Sequence, residues 1–208
     1  DESGHVLPPS EFILAAETYQ RMAAIDRWVI QRVLRWMATN RDRLEDFGGF
    51  AINVSGHSMN DETFPDFVLQ QFERTEAPTS KVCFEITETA AIASFSQANR
   101  FIQALKELGC KFALDDFGTG LSSFGYLKHF PVDFLKIDGS FVKGVLHDPI
   151  DREMVRSINE IGHLTGKQTI AEWAENAEII EILRGLGVDY AQGYGVSQPQ
   201  RVQRAAIA

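Results

Sequence analysis

Cysteine is nearly absent: Cys83 and Cys110 are the only two in 208 residues. That is too few for a disulfide framework. Each has apolar neighbours (Val82 and Phe84; Phe112), which reads as buried thiols in a reducing compartment. No apolar run approaches the roughly 20 residues that span a bilayer. No basic-then-apolar secretion signal opens the chain. Both absences point to a cytoplasmic location, as a free protein or as the cytoplasmic part of a membrane-attached one, with no membrane contact by this chain. Positive charge is scarce too: 20 Lys and Arg face 29 Asp and Glu, a formal net charge of −9. This disfavours a binder of nucleic acid polymers, which needs a basic surface. A phosphate-bearing ligand stays open if cations neutralise its site. Zinc signatures are missing, with no HExxH and no paired-cysteine spacing. Gly162-His-Leu-Thr-Gly166-Lys167 misses a P-loop by one residue between its glycines and by the absent Ser/Thr after the lysine. Asp116-Phe117-Gly118 has a kinase-like look, but no HRD loop or kinase glycine-rich loop accompanies it. The remainder, 44% hydrophobic and 24% charged, is the composition of a folded domain.

Short β-rich runs alternate with longer amphipathic ones. The pattern predicts strands at Phe50–Ser55, Lys81–Thr87, Lys111–Asp115, Phe134–Asp138, Thr169–Glu172 and Val188–Gln192. Helices are expected at Ser10–Thr18, Asp26–Trp36, Phe95–Leu108, Asp151–Leu164 and Asn176–Leu186, with apolar residues three and four apart. Gly109 and Gly187 read as left-handed helix stops. Asp1–Pro9 reads as a loop. Trp28 and Trp36 read as core or interface packing. Strand-then-helix repetition implies a parallel sheet in an α/β fold. One polar residue per strand end (Asn53, Glu85, Asp115, Lys136, Glu172, Gln192) gives spacings of 85−53=32, 115−85=30, 136−115=21, 172−136=36 and 192−172=20. These suit βα units. Six strands, with none at the start, fit an open sheet or a chain that begins partway into a barrel, and the second reading is favoured.

Those polar residues fall at the C-terminal strand ends, the rim where such folds place their active sites. Lys136 and Asp138 share a face by alternation. Asp115 and Asp116 are adjacent and would diverge on a regular strand. Both can serve one site only if the strand ends there, and the Gly118–Gly120 turn is expected to end it. Glu88, just past its strand, reads as a loop brace. A lone strand-end carboxylate is usually a helix cap or a surface charge; six polar residues at successive strand ends are harder to explain that way. Lys136 lies inside the apolar run FLKID, which favours a buried, paired role. Two carboxylates about 4 Å apart repel by roughly 4 kcal/mol at an effective dielectric near 20, so they share protons or bind metal. All-oxygen donors select Mg²⁺ or Mn²⁺ over zinc. Two cations bridged by Asp115 would suit in-line attack on a phosphodiester.

The runs Asn53-Val54-Ser55, Glu85-Ile86-Thr87-Glu88, Asp115-Asp116-Phe117-Gly118-Thr119-Gly120, Leu135-Lys136-Ile137-Asp138, Ala171-Glu172-Trp173-Ala174-Glu175-Asn176 and Gln192-Gly193-Tyr194 resemble those of EAL domains, bacterial cyclic di-GMP phosphodiesterases. The resemblance covers nearly the whole chain from Val6–Phe12. It implies a modified (β/α)8 TIM-type barrel, residues 1–208 being one domain, and hydrolysis of cyclic di-GMP to linear pGpG with Mg²⁺ or Mn²⁺, two ions in all. It implies Asn53, Glu85 and Asp115 as ligands of one metal, with Asp115 bridging to a second beside Asp116 and Glu172. Catalytic roles fall to Glu172 as general base, Lys136 as the residue that orients water, and Asp116. Gln192, Glu175 and Asp138 would contact substrate. Glu88 with Phe117, Gly118, Thr119 and Gly120 would form a regulatory loop tied to a homodimer interface, to which Phe117, Leu121, Phe124 and Tyr126 offer apolar side chains. Such a domain is expected to follow a sensory or GGDEF-type domain.

Two departures stand out. The Glu-Ala-Leu motif that names the family is missing, so the chain is expected to be incomplete at its N-terminus, lacking the first strand, one metal ligand and a substrate-gripping arginine. This fragment is therefore expected to be weakly active or inactive by itself. Trp173 stands where the common pattern has glycine. The main alternative is a non-catalytic cyclic di-GMP receptor; a third is an unrelated TIM-barrel enzyme acting on a sugar or small acid.

Overall fold

A computed structural model describes residues 9–120 and 124–200. The Asp1–Pro9 loop expectation therefore lies, up to residue 8, outside the described residues, and so does Leu121. Six strands, β1 (Phe50–Val54), β2 (Val82–Thr87), β3 (Lys111–Phe117), β4 (Phe134–Ile137), β5 (Gln168–Ala171) and β6 (Tyr190–Ala191), form one sheet in chain order. All neighbours pair in parallel. Sequential order with parallel direction is the arrangement of a TIM-type barrel wall. Among the described residues, β1 and β6 are the sheet's edge strands.

The helices are α1 (Pro9–Thr18), α2 (Met22–Thr39), α3 (Gly56–Met59), α4 (Phe64–Thr75), α5 (Glu88–Ala93), α6 (Phe95–Lys106), α7 (Gly139–Gly144), α8 (Pro149–Leu164) and α9 (Ala177–Gly185). No helix among the described residues is long and apolar enough to cross a membrane. Strand alternation sorts the two sheet faces. One face carries Ile52, Val54, Phe84, Ile86, Phe112, Leu114, Leu135 and Ile137, all buried. Rings from α4 and α6 pack there, with Phe101 5.7 Å from Phe84 and from Phe112, and 5.4 Å from Phe64. Each such buried ring contributes roughly 1.5–3 kcal/mol. The other face carries Asn53, Glu85, Asp115 and Lys136. The apolar face thus anchors the sheet and frees the opposite face for polar chemistry.

Strand ends feed directly into helix caps. Ser55, Thr87, Asp138 and Asn176 each accept a backbone N–H from the first turn of α3, α5, α7 and α9. Asp26 on α2, buried, accepts from Ser55 N at 2.9 Å and from the Ser55 and Ser58 hydroxyls at 2.6 Å each, fixing the end of β1. The expected stops hold: Gly109 and Gly187 adopt φ of 92° and 78°. Both cysteines are free thiols, and burial pushes each up to about 12.

Two local expectations need correction. β3 does not end at Asp115 but runs through Phe117, and its irregularity lies within it. Leu114 pairs with Leu135 and Phe117 with Ile137, so 117−114=3 steps oppose 137−135=2. One extra residue is a β-bulge. Asp138, expected on β4 beside Lys136, has left the strand to cap α7, its carboxylate accepting from Ser140 N at 2.8 Å.

Candidate functional site

The polar face gathers around one ammonium. Lys136 Nζ lies 2.9 Å from Glu85 Oε2, 2.9 Å from Asp115 Oδ1 and 2.7 Å from Glu172 Oε1, with its side chain only 2% exposed. Burial alone would lower its pKa; the carboxylates of Glu85, Asp115 and Glu172 outweigh burial and hold it raised and charged. The carboxylates feel the opposite pressure. Burial raises Glu85 despite Lys136, and raises Glu172, with Asp115 and Asp116 adding repulsion. Burial, then Asp115 and Asp138, raises Asp116. Fully ionised, four carboxylates against one ammonium leave an excess of three negative charges.

The bulge decides the site's shape. Asp116 sits at φ 53°, in the left-handed region. That turn carries its carboxylate to the same side as Asp115. Oxygens of Asp115, Asp116 and Glu172 all lie within 4.8 Å of one another. Asn53 pairs in register with Glu85 on the same sheet face, next to this cluster. Asp138 faces Asp116 from the cap of α7.

Glu175 and Gln192 line a separate, adjoining cavity of about 360 Å³ with Glu172, Trp173, Gly193 and Tyr194. Gly193 in this wall and Gly195 just beyond it allow close backbone packing. A Cβ on Gly193 would lie 2.5 Å from Ala174 N, and one on Gly195 2.6 Å from Asn176 N. The backbones therefore close on each other, with Ala174 N donating to Gln192 O at 3.0 Å. A larger cavity of about 470 Å³, lined by Lys111, Lys128 and Lys167 among others, lies at the opposite strand ends, far from the carboxylates.

Glu88 is buried and reaches the glycine turn. It accepts from Gly118 N at 3.1 Å and from the Tyr126 hydroxyl. Thr119 Oγ1 donates to Asp116 O at 3.1 Å, and Gly120 closes the described part of the turn. Phe117, expected among the side chains offered to an interface, is fully buried in the core. Trp173 was legible only as an oddity. Its ring rests against Gly139 and stays 53% exposed at the cavity rim.

The EAL domain family model matches residues 1–199. The chain is 41% identical over 197 residues to cyclic di-GMP phosphodiesterase PdeB of Shewanella oneidensis, covering 95% of this chain and 23% of that protein. It is 38% identical over 199 residues to cyclic di-GMP phosphodiesterase PdeF of Escherichia coli, covering 96% and 26%. The chain thus spans about a quarter of these relatives' length. Among solved structures, the PaMucR phosphodiesterase in complex with c-di-GMP superposes with a TM-score of 0.89 at 28% identity, covering 96% of this chain and 81% of that one. Sheet order, strand-end carboxylates and these matches agree: the chain belongs to the EAL domain family.

Proposed function

We propose that this domain binds cyclic di-GMP and hydrolyses it to linear pGpG with the help of divalent cations. The observation that carries this reading is the convergence of Asp115, Asp116 and Glu172 oxygens within 4.8 Å, beside a buried lysine already saturated by three carboxylates. The donors are all oxygen, and the excess negative charge exceeds what Lys136 balances; both fit Mg²⁺ or Mn²⁺. Glu85, Asp115, Asp116 and Glu172, with Asn53 beside them, would hold two such ions. Bound there, the cations supply charge neutralisation at the phosphoryl oxygens and an acidified water.

The chain's own residues do the rest. Lys136 holds three carboxylates in place and orients the attacking water through them. Glu172, its carboxyl raised by burial, accepts the water's proton as the new P–O bond forms and the bond to the ribose 3′-oxygen breaks, the departing oxygen taking a proton from solvent. Glu175 and Gln192 line the cavity into which the nucleotide extends. Asp138 positions Asp116. Glu88 and the turn from Phe117 to Gly120 couple the site to a homodimer contact, and an upstream sensory or GGDEF-type domain drives that contact in a cytoplasmic signalling protein.

The test is nucleotide chromatography after incubation with Mg²⁺ or Mn²⁺. In the full-length protein, wild type yields pGpG; Glu172→Ala and Lys136→Ala there bind the cyclic dinucleotide but leave it intact. Tight binding without turnover by full-length wild type, with both metals tried, would replace the enzyme with a receptor. Equal hydrolysis by wild type and Glu172→Ala would remove the role given to Glu172.

A further inference from the structure

Trp173 adopts φ 53°, a backbone conformation that favours glycine, yet the largest side chain stands there. An outlier of this kind persists where surrounding structure enforces it. The enforcement is visible. The Lys143 ammonium lies 3.6 Å from the centroid of the indole ring, a cation–π contact from α7. The ring edge rests on Gly139, where any Cβ would lie 2.0 Å from Cδ1. An indole clamped on one face and one edge still leaves the residue 53% exposed, and it lines the 360 Å³ cavity next to Glu172. Tyr194, 67% exposed, lines the same cavity. A rigid, open aromatic ring beside phosphodiester-cleaving carboxylates offers a stacking surface to the nearest base.

We propose that Trp173 is a base-stacking residue, holding one purine of the cyclic dinucleotide against the indole in the cavity shared with Tyr194 and Gln192. This rests on the reading of cyclic di-GMP as ligand. Stacking is sequence-tolerant, because every base offers a π face, so Trp173 adds affinity while the polar cavity residues set base identity.

The experiment titrates the protein with a phosphorothioate analogue of cyclic di-GMP in Mn²⁺, read by calorimetry and by tryptophan emission. Trp173→Gly is the informative variant, since glycine relieves the backbone while removing the ring. It is expected to bind about 10-fold or more weakly, in line with the loss of one aromatic–base stack. Its Mn²⁺ affinity should match wild type. Trp173→Phe keeps a smaller ring and should retain most of the affinity. Ligand should change the emission of wild type but not of Trp173→Phe, since Trp28 and Trp36 lie outside the cavity. Undiminished affinity in Trp173→Gly, or wild-type emission unmoved at saturation, overturns the proposal while leaving cyclic di-GMP as the ligand. A wild type that fails to bind the analogue overturns the ligand reading itself, and this one with it.

Discussion

Asp115 and Asp116 are consecutive in the chain, yet their carboxylates meet within 4.8 Å, together with that of Glu172. A regular strand sends neighbours to opposite faces. The left-handed turn at Asp116 and the extra residue in β3 cancel that alternation. The backbone there tolerates Asn but resists a β-branched residue. Asp116→Asn should keep the wild-type melting temperature while weakening Mn²⁺ binding in calorimetry. Asp116→Val should lose roughly 1–2 kcal/mol of stability from the strained backbone. Equal melting of the two variants would mean that the bulge is not held by this residue.

Lys136 touches three carboxylates, so its removal leaves buried negative charge without a counterion. Breaking a buried ion pair from one side costs about 3–5 kcal/mol. Lys136→Met should show a destabilisation of that order in urea unfolding without divalent cations. Glu85 bonds Lys136 at 2.9 Å. Adding Glu85→Gln to Lys136→Met should therefore recover part of the loss, with a coupling energy of at least about 1 kcal/mol between the two sites. Additive effects would show that the cluster does not act as a unit.

Glu88 ties α5 to the glycine turn through Gly118 N and to the 3-10 turn Phe124–His129 through the Tyr126 hydroxyl. Burial, with the Glu88 carboxylate, raises Tyr126, which stays a protonated donor. Tyr126→Phe removes one bond from a buried carboxylate, a loss of about 1–3 kcal/mol. Hydrogen exchange at the Gly118 amide should quicken in this variant, whereas amides of α8 should keep their protection. Uniform change across the domain would point to global destabilisation instead of a released turn.

The strand ends were readable because each one bears a polar residue at the close of an apolar run, and an apolar run fixes which face is buried. Lys136 is the sharpest case, since a lysine inside FLKID has no way to reach solvent from a covered sheet. Readability ended where the backbone left its regular period. The bulge at Asp116 carries no propensity signal, and the turn after it suggested a strand end two residues early. Alternation places Asp138 on β4, but an Asp followed by Gly-Ser is equally a cap, and in the fold the cap prevails. Trp173 was visible as a departure, but its exposure depends on Gly139 and Lys143, which lie 34 and 30 positions away in the chain (173−139=34; 173−143=30).

Asp189 supplies a test at the opposite end of the sheet. Its Oδ2 accepts from Thr169 N at 2.8 Å and pairs with His163 Nε2 at 2.8 Å, joining β5, α8 and the start of β6. Burial alone would raise this carboxyl; the Thr169 N–H and His163 outweigh burial and hold it below the ordinary range. A carboxyl depressed in the folded state contributes stability above its unfolded value, about 3.9, and loses it as pH falls through the folded value. Glu85, Asp116 and Glu172, all raised, have the opposite sign: their contribution is present at low pH and fades as pH climbs. The total acid profile therefore mixes both, and the difference between wild type and Asp189→Asn isolates one. At pH 7 the variant should be the less stable of the two in urea. On acidification through about pH 4 and below, the gap should narrow, because wild type alone loses the Asp189 contribution. Unfolding curves that stay parallel from pH 7 down to pH 3 would show that Asp189 carries the same charge-dependent energy in both states, and that the Thr169 contact is held by geometry alone.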